Sequence, residues 1–200
     1  MTKSVELIVD VVSPNLYMLF GPLREAVERQ GAELHVTPIF LAGLHKLTGN
    51  APPMQRDAGV RGKNEYAMLE IRRFLKTHAL DRFRVNSAFP FNTVTVQRML
   101  CVAVEDGRGV ELADLLLRLI WEENRDLSQD DVILESLAGT QFDGPSLLER
   151  ARRDANKQRL VDRTQAAADR GVFGVPTVFV GDEMFFGKER LAQIEKELAG

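Results

Sequence analysis

Two apolar segments near the start of the chain flank an amphipathic one. Residues 4–12 and 33–39 are rich in valine, isoleucine and leucine, which is typical of buried strands. Between them, residues 14–30 place apolar side chains three or four positions apart. The preceding Ser13-Pro14 is a strong helix start, because serine caps free amides and proline fits the first helical turn. This part of the chain therefore predicts a β-α-β unit with parallel strands.

The middle of the chain changes from a loop pattern to a helical one. Residues 41–62 are rich in glycine and proline and predict a loop. Apolar residues then recur at helical spacing in five segments, which are 63–79, 92–107, 109–124, 129–139 and a charged stretch from Pro145 to about 169. Ser128 to Asp131 resembles a capping box in which Asp replaces the usual Glu or Gln.

The last part of the chain returns to strand periodicity. Residues 177–180 and 183–186 predict a hairpin around Gly181-Asp182, and residues 188–199 predict an amphipathic helix. The β-α-β and β-β-α flanks are each too small to fold alone, so we expect them to share one sheet, with the helices inserted between them. The predicted domains are a sheet domain, residues 1–62 with 166–200, and a helical insertion, residues 63–165.

The composition excludes several classes of protein. The 200 residues carry 26 Lys and Arg against 29 Asp and Glu, a formal net charge of -3 that argues against nucleic-acid binding. No apolar run reaches the roughly 18–20 residues needed to cross a bilayer. The beginning of the chain has neither the flanks nor the cleavage site of a secretory signal. We therefore expect a cytoplasmic protein with no nucleic-acid or membrane partner.

The single cysteine, Cys101, limits the available chemistry. It rules out an intramolecular disulfide, a Cys-x-x-Cys pair and a multi-cysteine zinc site. Because Cys101 falls in an apolar helical stretch, we expect it to be a buried core residue. The histidines, His35, His45 and His78, show no spacing typical of metal ligands, so no metal site is predicted. An enzyme of this composition needs another reactive group or a bound cofactor.

Five short segments, in order over nearly the whole chain, carry a resemblance to a known family. They are Asp10-Val-Val-Ser13-Pro14-x-x-Tyr17, Gly49-Asn50-x-Pro52-Pro53, Lys63-x-x-Tyr66, Phe89-Pro90-x-Asn92-Thr93-x-x-x-x-Arg98 and Gly171-Val-Phe-Gly174-Val175-Pro176-Thr177. Together they resemble the 2-hydroxychromene-2-carboxylate isomerase family, which is related to DsbA and to kappa-class glutathione transferases. The resemblance implies an α/β, thioredoxin-like fold of β-α-β and β-β-α halves with a large all-helical insertion.

Ser13 is the predicted catalytic residue. By itself Ser13-Pro14 indicates only helix capping, but the resemblance sets Ser13 where a redox relative has its first cysteine. A helix N-terminus stabilises a thiolate, because free amides and the positive end of the helix dipole point towards it. The resemblance therefore implies a bound thiol, glutathione, whose thiolate Ser13 stabilises without attacking the substrate itself.

The resemblance also implies a set of cofactor-binding residues. Val175-Pro176 would be a cis peptide whose backbone pairs with the cysteine of glutathione. Asn50 would cover the tripeptide and Lys63 would meet its glycyl carboxylate, although a turn residue and a solvated lysine are simpler interpretations. The γ-glutamyl group would lie at Gly187-Lys188-Glu189, where Glu189 would pair with its ammonium, although pairing of Glu189 with the helix dipole is a simpler interpretation. Here the chain departs from the family, which usually has serine or glutamine followed by aspartate.

The implied function is that of a glutathione-dependent isomerase acting as a homodimer. Its substrate would be an aromatic hydroxy-acid such as 2-hydroxychromene-2-carboxylate, and its product would resemble trans-o-hydroxybenzylidenepyruvate. Two alternatives stay open, a kappa-class-like glutathione transferase or peroxidase, and a redox-silent DsbA-like module that binds peptides or a partner protein. We assign structural roles to Tyr17, Asn92, Arg98 and Trp121.

Overall fold

The computed structural model describes residues 3–200, so Met1 and Thr2 of the predicted sheet domain lie outside the described residues. Four strands form one sheet: β1 (Ser4–Val9), β2 (Glu33–Pro38), β3 (Thr177–Val180) and β4 (Glu183–Phe186). Their order is β2-β1-β3-β4, in which β1 is parallel to β2 and antiparallel to β3, and β3 is antiparallel to β4. Because β3 lies beside β1, the two flanks of the chain share a sheet. The predicted thioredoxin-like frame is confirmed.

Helices connect and cover these strands. Helix α1 (Pro14–Arg29) joins β1 to β2, and a 3₁₀ turn (Lys188–Arg190) leads from β4 into the last helix. The remaining helices, in chain order, are α2 (Leu41–Thr48), α3 (Pro53–Arg56), α4 (Lys63–Thr77), α5 (Val94–Glu105), α6 (Gly109–Trp121), α7 (Asp130–Leu137), α8 (Gly144–Arg152), α9 (Asp154–Asp169) and α10 (Leu191–Ala199). Helix α9 continues through residues 165 and 166, where we divided the domains; that division stays a prediction.

The prediction of a loop over 41–62 is wrong, because α2 and α3 form there. Phe40, the N-cap of α2, makes no side-chain hydrogen bond to the helix, and Gly49, its C-cap, is in the left-handed region (φ 69°). Gly43, inside the helix, packs against Phe40 and Thr164, and the Thr164 hydroxyl accepts a hydrogen bond from the Phe40 N–H at 3.0 Å. Contacts with α9 therefore hold a segment whose glycine content disfavours a helix.

Three smaller predictions also need correction. The first strand ends at Val9 and not at residue 12, because residues 10–13 turn into α1. The predicted helix from Pro145 to about 169 is two helices, separated by Arg153 in an extended conformation (φ -64°, ψ 140°). The capping box is absent, since Gln129 is the N-cap without a side-chain bond and the Ser128 hydroxyl donates to Asp126 instead.

The insertion helices and the sheet share one hydrophobic core. Leu7, Leu100, Trp121 and Val178, which come from β1, α5, α6 and β3, belong to the same buried cluster. Cys101 has no exposed surface, and Trp121 is almost as deeply buried, so the prediction that both are core residues is confirmed. The helices therefore pack directly behind the turn between β1 and α1, where Ser13 lies.

Candidate functional site

Ser13 caps the N-terminus of α1 and faces the second half of the fold. Its backbone is extended, and its Oγ accepts a hydrogen bond from the Leu16 N–H at 3.3 Å. The same hydroxyl donates to the Val175 carbonyl oxygen at 3.4 Å. Ser13 is only 6% exposed. The predicted helix cap is confirmed, and the bond to Val175 joins the two halves of the frame at this residue.

Asp10 is a buried carboxylate that holds the turn before Ser13. Its Oδ1 accepts hydrogen bonds from the Val12 N–H at 3.2 Å and the Thr93 hydroxyl at 2.8 Å, and its Oδ2 accepts one from the Leu41 N–H at 2.8 Å. Burial raises the pKa of Asp10 to about 6, although these three hydrogen bonds oppose the rise. One side chain thus connects the β1–α1 turn to α2 and to the start of α5.

Two side chains of the insertion bind the backbone of the same turn. The buried Gln97 amide donates to the Val9 and Ile39 carbonyl oxygens at 2.8 and 2.7 Å and accepts from the Val11 N–H at 3.4 Å. The Trp121 indole N–H donates to the Val11 carbonyl oxygen at 3.0 Å. Because these groups are buried, each bond satisfies a backbone group that water cannot reach. The insertion therefore positions the backbone immediately before Ser13.

The Val175-Pro176 peptide is cis, as predicted, and lies opposite Ser13. The Pro176 carbonyl oxygen accepts a hydrogen bond from the Gly187 N–H at 3.0 Å, which continues the pairing of β3 with β4. Gly187 has φ 95° and ψ 152°, a conformation that L side chains rarely adopt. The structure therefore brings together Ser13, Val175, Pro176 and Gly187. The Phe89-Pro90 peptide is also cis, which we did not predict.

Asn50 connects the loop after α2 to the loop before the cis peptide. Its Nδ2 donates to the Phe173 carbonyl oxygen at 2.7 Å, and its Oδ1 accepts from the Ala51 N–H at 2.8 Å. Both ends of the amide are already hydrogen-bonded, so Asn50 acts here as a residue that holds two loops together. The amide has a second N–H and a second oxygen lone pair beyond these two bonds, and its contact with glutathione stays a prediction.

Lys63 pairs with a carboxylate of its own segment. Its Nζ lies 2.9 Å from Asp57 Oδ1, and Arg56 binds the same carboxylate. Hydrogen bonds from Arg56 first and Lys63 second hold the pKa of Asp57 at about 2. Within the described residues no hydrogen bond joins Lys63 to Ser13 or Val175. The structure thus groups Lys63 with Asp57, at the start of α4, and its role towards a ligand stays a prediction.

Lys188 and Glu189 form an ion pair at the start of the 3₁₀ turn. Lys188 is buried, at 4% exposure, whereas the Glu189 side chain is half exposed. The Lys188 ammonium binds Glu189 Oε1 and lies 5.5 Å from the centre of the Phe74 ring. Glu189, one of the predicted cofactor-binding residues, therefore already has a cationic partner within the chain.

Aromatic rings lie close to one another one turn beyond Ser13. Ring centroids are separated by 5.5 Å between Tyr17 and Phe83, 5.8 Å between Phe83 and Trp121, and 5.6 Å between Phe89 and Trp121. The Tyr17 hydroxyl donates to Glu122 Oε1 at 3.1 Å. Burial, reinforced by the charge of Glu122, raises the pKa of Tyr17 above its ordinary range. Tyr17 is thus a packing residue with one polar contact.

The chain's own thiol, Cys101, is buried. Burial raises the pKa of the Cys101 thiol, which disfavours a thiolate at this position. Among residues 3–200, no three His, Cys, Asp or Glu side chains are grouped so that they could bind a metal ion. Over the same residues, every helix is too short or too polar to cross a membrane.

Several residues of the site lie beyond what we predicted. Asp10 and Thr93 stand in the motifs that carry the family resemblance, but we gave them no role. Gln97 is an amide in the apolar face of α5, a pattern that could have indicated a buried polar contact. The Asn15 Oδ1 is buried and has no hydrogen-bond partner among the described residues. Nothing in the local sequence indicates this unpaired oxygen.

Comparisons with known proteins agree with this geometry. The chain is 26% identical over 200 residues to a 2-hydroxychromene-2-carboxylate isomerase from Pseudomonas sp. (strain C18), with 98% of this chain and 90% of the relative covered. It is 29% identical over 208 residues to glutathione S-transferase kappa 1 from Rattus norvegicus, with 94% and 88% covered. A solved structure of a 2-hydroxychromene-2-carboxylate isomerase superposes with a TM-score of 0.84 at 22% identity, covering 98% of this chain and 94% of that one.

The resemblance seen in the sequence motifs is therefore confirmed over the whole chain. The profile of one family, described as the DSBA-like thioredoxin domain, matches residues 4–199. That range includes both halves of the sheet, the insertion helices and the site around Ser13. The chain belongs to the family of DSBA-like thioredoxin domains.

Proposed function

We propose that this protein is a glutathione-dependent isomerase that acts on aromatic hydroxy-acids resembling 2-hydroxychromene-2-carboxylate. The observation that carries the proposal is the position of Ser13. A hydroxyl caps a 16-residue helix opposite a cis peptide, whereas the chain's own thiol is buried at Cys101. A site that favours a thiolate but supplies none of its own fits a protein that borrows the sulfur from a ligand.

The residues around Ser13 fit a thiol peptide. Ser13 supplies a hydroxyl donor, and α1 supplies the positive end of its dipole. The hydroxyl and the positive end of the helix dipole are the groups that stabilise an anionic sulfur.

The chemistry divides between ligand and protein. When bound, glutathione would supply a thiolate that adds reversibly to a conjugated carbon, so that a double bond becomes a single bond and can rotate. The protein's part is to hold the proton of the Ser13 hydroxyl towards the sulfur and to orient that hydroxyl. Asp10, Gln97 and Trp121 provide the orientation, because they fix the turn from which Ser13 projects. The burial of Ser13 also keeps water from competing for the anion.

The aromatic group one turn beyond Ser13 supports an aromatic substrate. Phe89 is 39% exposed and packs at the edge of Trp121, so part of this aromatic surface is open to a ligand. The names of the relatives supply the substrate class, since those in Pseudomonas sp. (strain C18) and Pseudomonas putida are both 2-hydroxychromene-2-carboxylate isomerases. These two points together support the small aromatic substrate that the family resemblance implies.

The test measures the turnover of 2-hydroxychromene-2-carboxylate under three conditions, which are added glutathione, added S-methylglutathione and no addition. We expect turnover with glutathione only, because S-methylglutathione keeps the peptide but cannot form a thiolate. Ser13→Ala should lower the turnover, and Lys196→Gln, at an exposed position of α10, should leave it unchanged. Equal turnover under all three conditions would refute the proposal.

A kappa-class-like transferase is the second candidate, favoured by the 29% identity to the rat kappa-class enzyme. Conjugation of glutathione to a chlorinated aromatic compound, measured beside the isomerisation, distinguishes the two activities. Glutathione binding without either activity would favour a binding module.

The homodimer and the location in the cytoplasm stay predictions. Helix α4 supports the former, because it has no buried residue and exposes Tyr66 and Met68. Equilibrium sedimentation of the full chain tests whether it forms a dimer.

A further inference from the structure

The segment after β4 lies directly beside the cis peptide. In the antiparallel pairing, Thr177 lies opposite Phe186, and the Gly187 N–H donates to the Pro176 carbonyl oxygen at 3.0 Å. Lys188 follows Gly187 directly, at the start of the 3₁₀ turn, so it lies next to the residue that pairs with Pro176. A thiol peptide held between Ser13 and Val175 would therefore extend one of its arms past Lys188 and Glu189.

Lys188 is an unusual residue to find at this place. Its side chain is 5% exposed, so its ammonium has left water almost completely. A buried ammonium is costly unless it is paired, and here Glu189 Oε1 and the face of the Phe74 ring surround it. Glu189 is therefore the ion-pair partner that offsets the burial of Lys188.

The two oxygens of Glu189 have different neighbours. Oε1 binds Lys188, whereas Oε2 lies beside Gly187, so close that a Cβ added to Gly187 would be 2.8 Å away. Burial alone would raise the pKa of Glu189, but hydrogen bonds from Lys188 and from its own backbone N–H, with the charge of Arg190, lower it overall. The carboxylate is thus ionised, and its charge is balanced within the chain.

We propose that Lys188 takes the place of a ligand ammonium as the partner of Glu189. The site therefore does not require an amino group on the arm of the thiol ligand that faces Glu189. With an internal ammonium in place, the carboxylate gains little from a second one, and the pair as a whole is neutral. The site then accepts thiol peptides whose arm ends in a carboxylate alone as readily as glutathione, whose arm carries a carboxylate and an ammonium. The inference rests on the proposed glutathione site and specifies the class of thiol that this site takes.

The experiment compares glutathione with its des-amino analogue, glutaryl-cysteinyl-glycine, by isothermal titration. We expect the wild-type protein to bind the two within about threefold of each other. In Lys188→Gln, which keeps much of the side-chain length and removes the charge, Glu189 regains its need for an ammonium. The variant should therefore prefer glutathione by about tenfold or more. Lys196→Gln, an exposed lysine of the following helix, is the matched control and should behave as wild type.

Each outcome separates this inference from the proposed function. If the wild type binds glutathione at least tenfold more tightly than the des-amino analogue, the inference is wrong and the glutathione site stands. If the wild type binds neither thiol, both are wrong. Should Lys188→Gln fail to give the native circular dichroism spectrum, Lys188→Met replaces it, since Met also packs against Phe74. A variant that folds and shows the wild-type ratio contradicts the role of Lys188.

Discussion

Replacing Ser13 with alanine removes two interactions of one hydroxyl, and the structure lets their effects be estimated separately. The oxygen caps α1 through the Leu16 N–H at 3.3 Å, and loss of such a cap costs about 1 kcal/mol of stability. The proton, which now points to Val175, would be the donor to a bound thiolate. A hydrogen bond to a charged group contributes about 1.5–3 kcal/mol. At about 1.4 kcal/mol per pKa unit, Ser13→Ala should raise the pKa of the bound thiol by about 1–2 units.

The assay is a pH titration of the ultraviolet absorbance of the thiolate, with protein and glutathione mixed, followed for three variants. Ser13→Gly is the informative companion to Ser13→Ala, because glycine at an N-cap costs only a few tenths of a kcal/mol but equally lacks the hydroxyl. Asp143→Ala removes a comparable cap from α8, where the carboxylate accepts from the Ser146 N–H at 3.0 Å. It should lower the stability and leave the titration midpoint unchanged.

The titration midpoints of these variants show whether the Ser13 hydroxyl stabilises the thiolate. Equal upward shifts of the midpoint in Ser13→Ala and Ser13→Gly assign the effect to the hydroxyl. A shift in Ser13→Ala alone would assign it to distortion of the helix start. An unchanged midpoint in both, with glutathione still bound, would refute a role of Ser13 in stabilising the thiolate.

Three further predictions concern the residues around the site. Folding raises the pKa of Asp10 from 3.8 to about 6, so the folded state is stabilised by about 3 kcal/mol when Asp10 is protonated. This free energy of unfolding is lost as the pH rises from about 4 to above 6. Asp10→Asn should flatten this decline in urea midpoints, and an unaltered pH dependence would contradict it. Trp121→Phe leaves the Val11 carbonyl unpaired and should cost about 1–3 kcal/mol in urea unfolding; no loss would show that water replaces the bond. Asn50→Ala removes the 2.7 Å bond to Phe173 and should raise the KM for glutathione more than it lowers kcat. The reverse would place Asn50 in the chemical step.

The frame of the fold could be predicted from the sequence because its signals are local. Ser13-Pro14 before an apolar stripe and Gly181-Asp182 between two short apolar runs each act over a few residues. Helix α2 could not be predicted in this way, because its support comes from Thr164, far along the chain. Arg153 interrupts a helical pattern without any proline or glycine, so no local signal marks that break.

The residues of the site are likewise of two kinds, those that a local motif indicates and those whose roles depend on distant parts of the chain. Ser13 and the cis peptide before Pro176 are recognisable, since short motifs carry them. The roles of Gln97 and Asp10 depend on where distant backbone groups lie, and no spacing rule encodes those positions. The pairing of Lys188 with Glu189 is adjacent in sequence, yet adjacent residues usually point apart, so the ion pair and the burial of Lys188 become apparent only in three dimensions.

Although the insertion helices lie outside the sheet, they have a structural role in the proposed chemistry. A thiolate gains from the N-terminus of α1 only if the turn before it presents Ser13 at a fixed angle, because hydrogen bonds weaken steeply with misalignment. Of the side chains that fix this turn, Asp10 lies in the turn itself, and Thr93, Gln97 and Trp121 lie in the predicted insertion, residues 63–165. The sheet therefore supplies the cis peptide, and the insertion supplies most of the alignment of the serine. Substitutions at Gln97 should accordingly affect the thiolate even though Gln97 has no exposed surface.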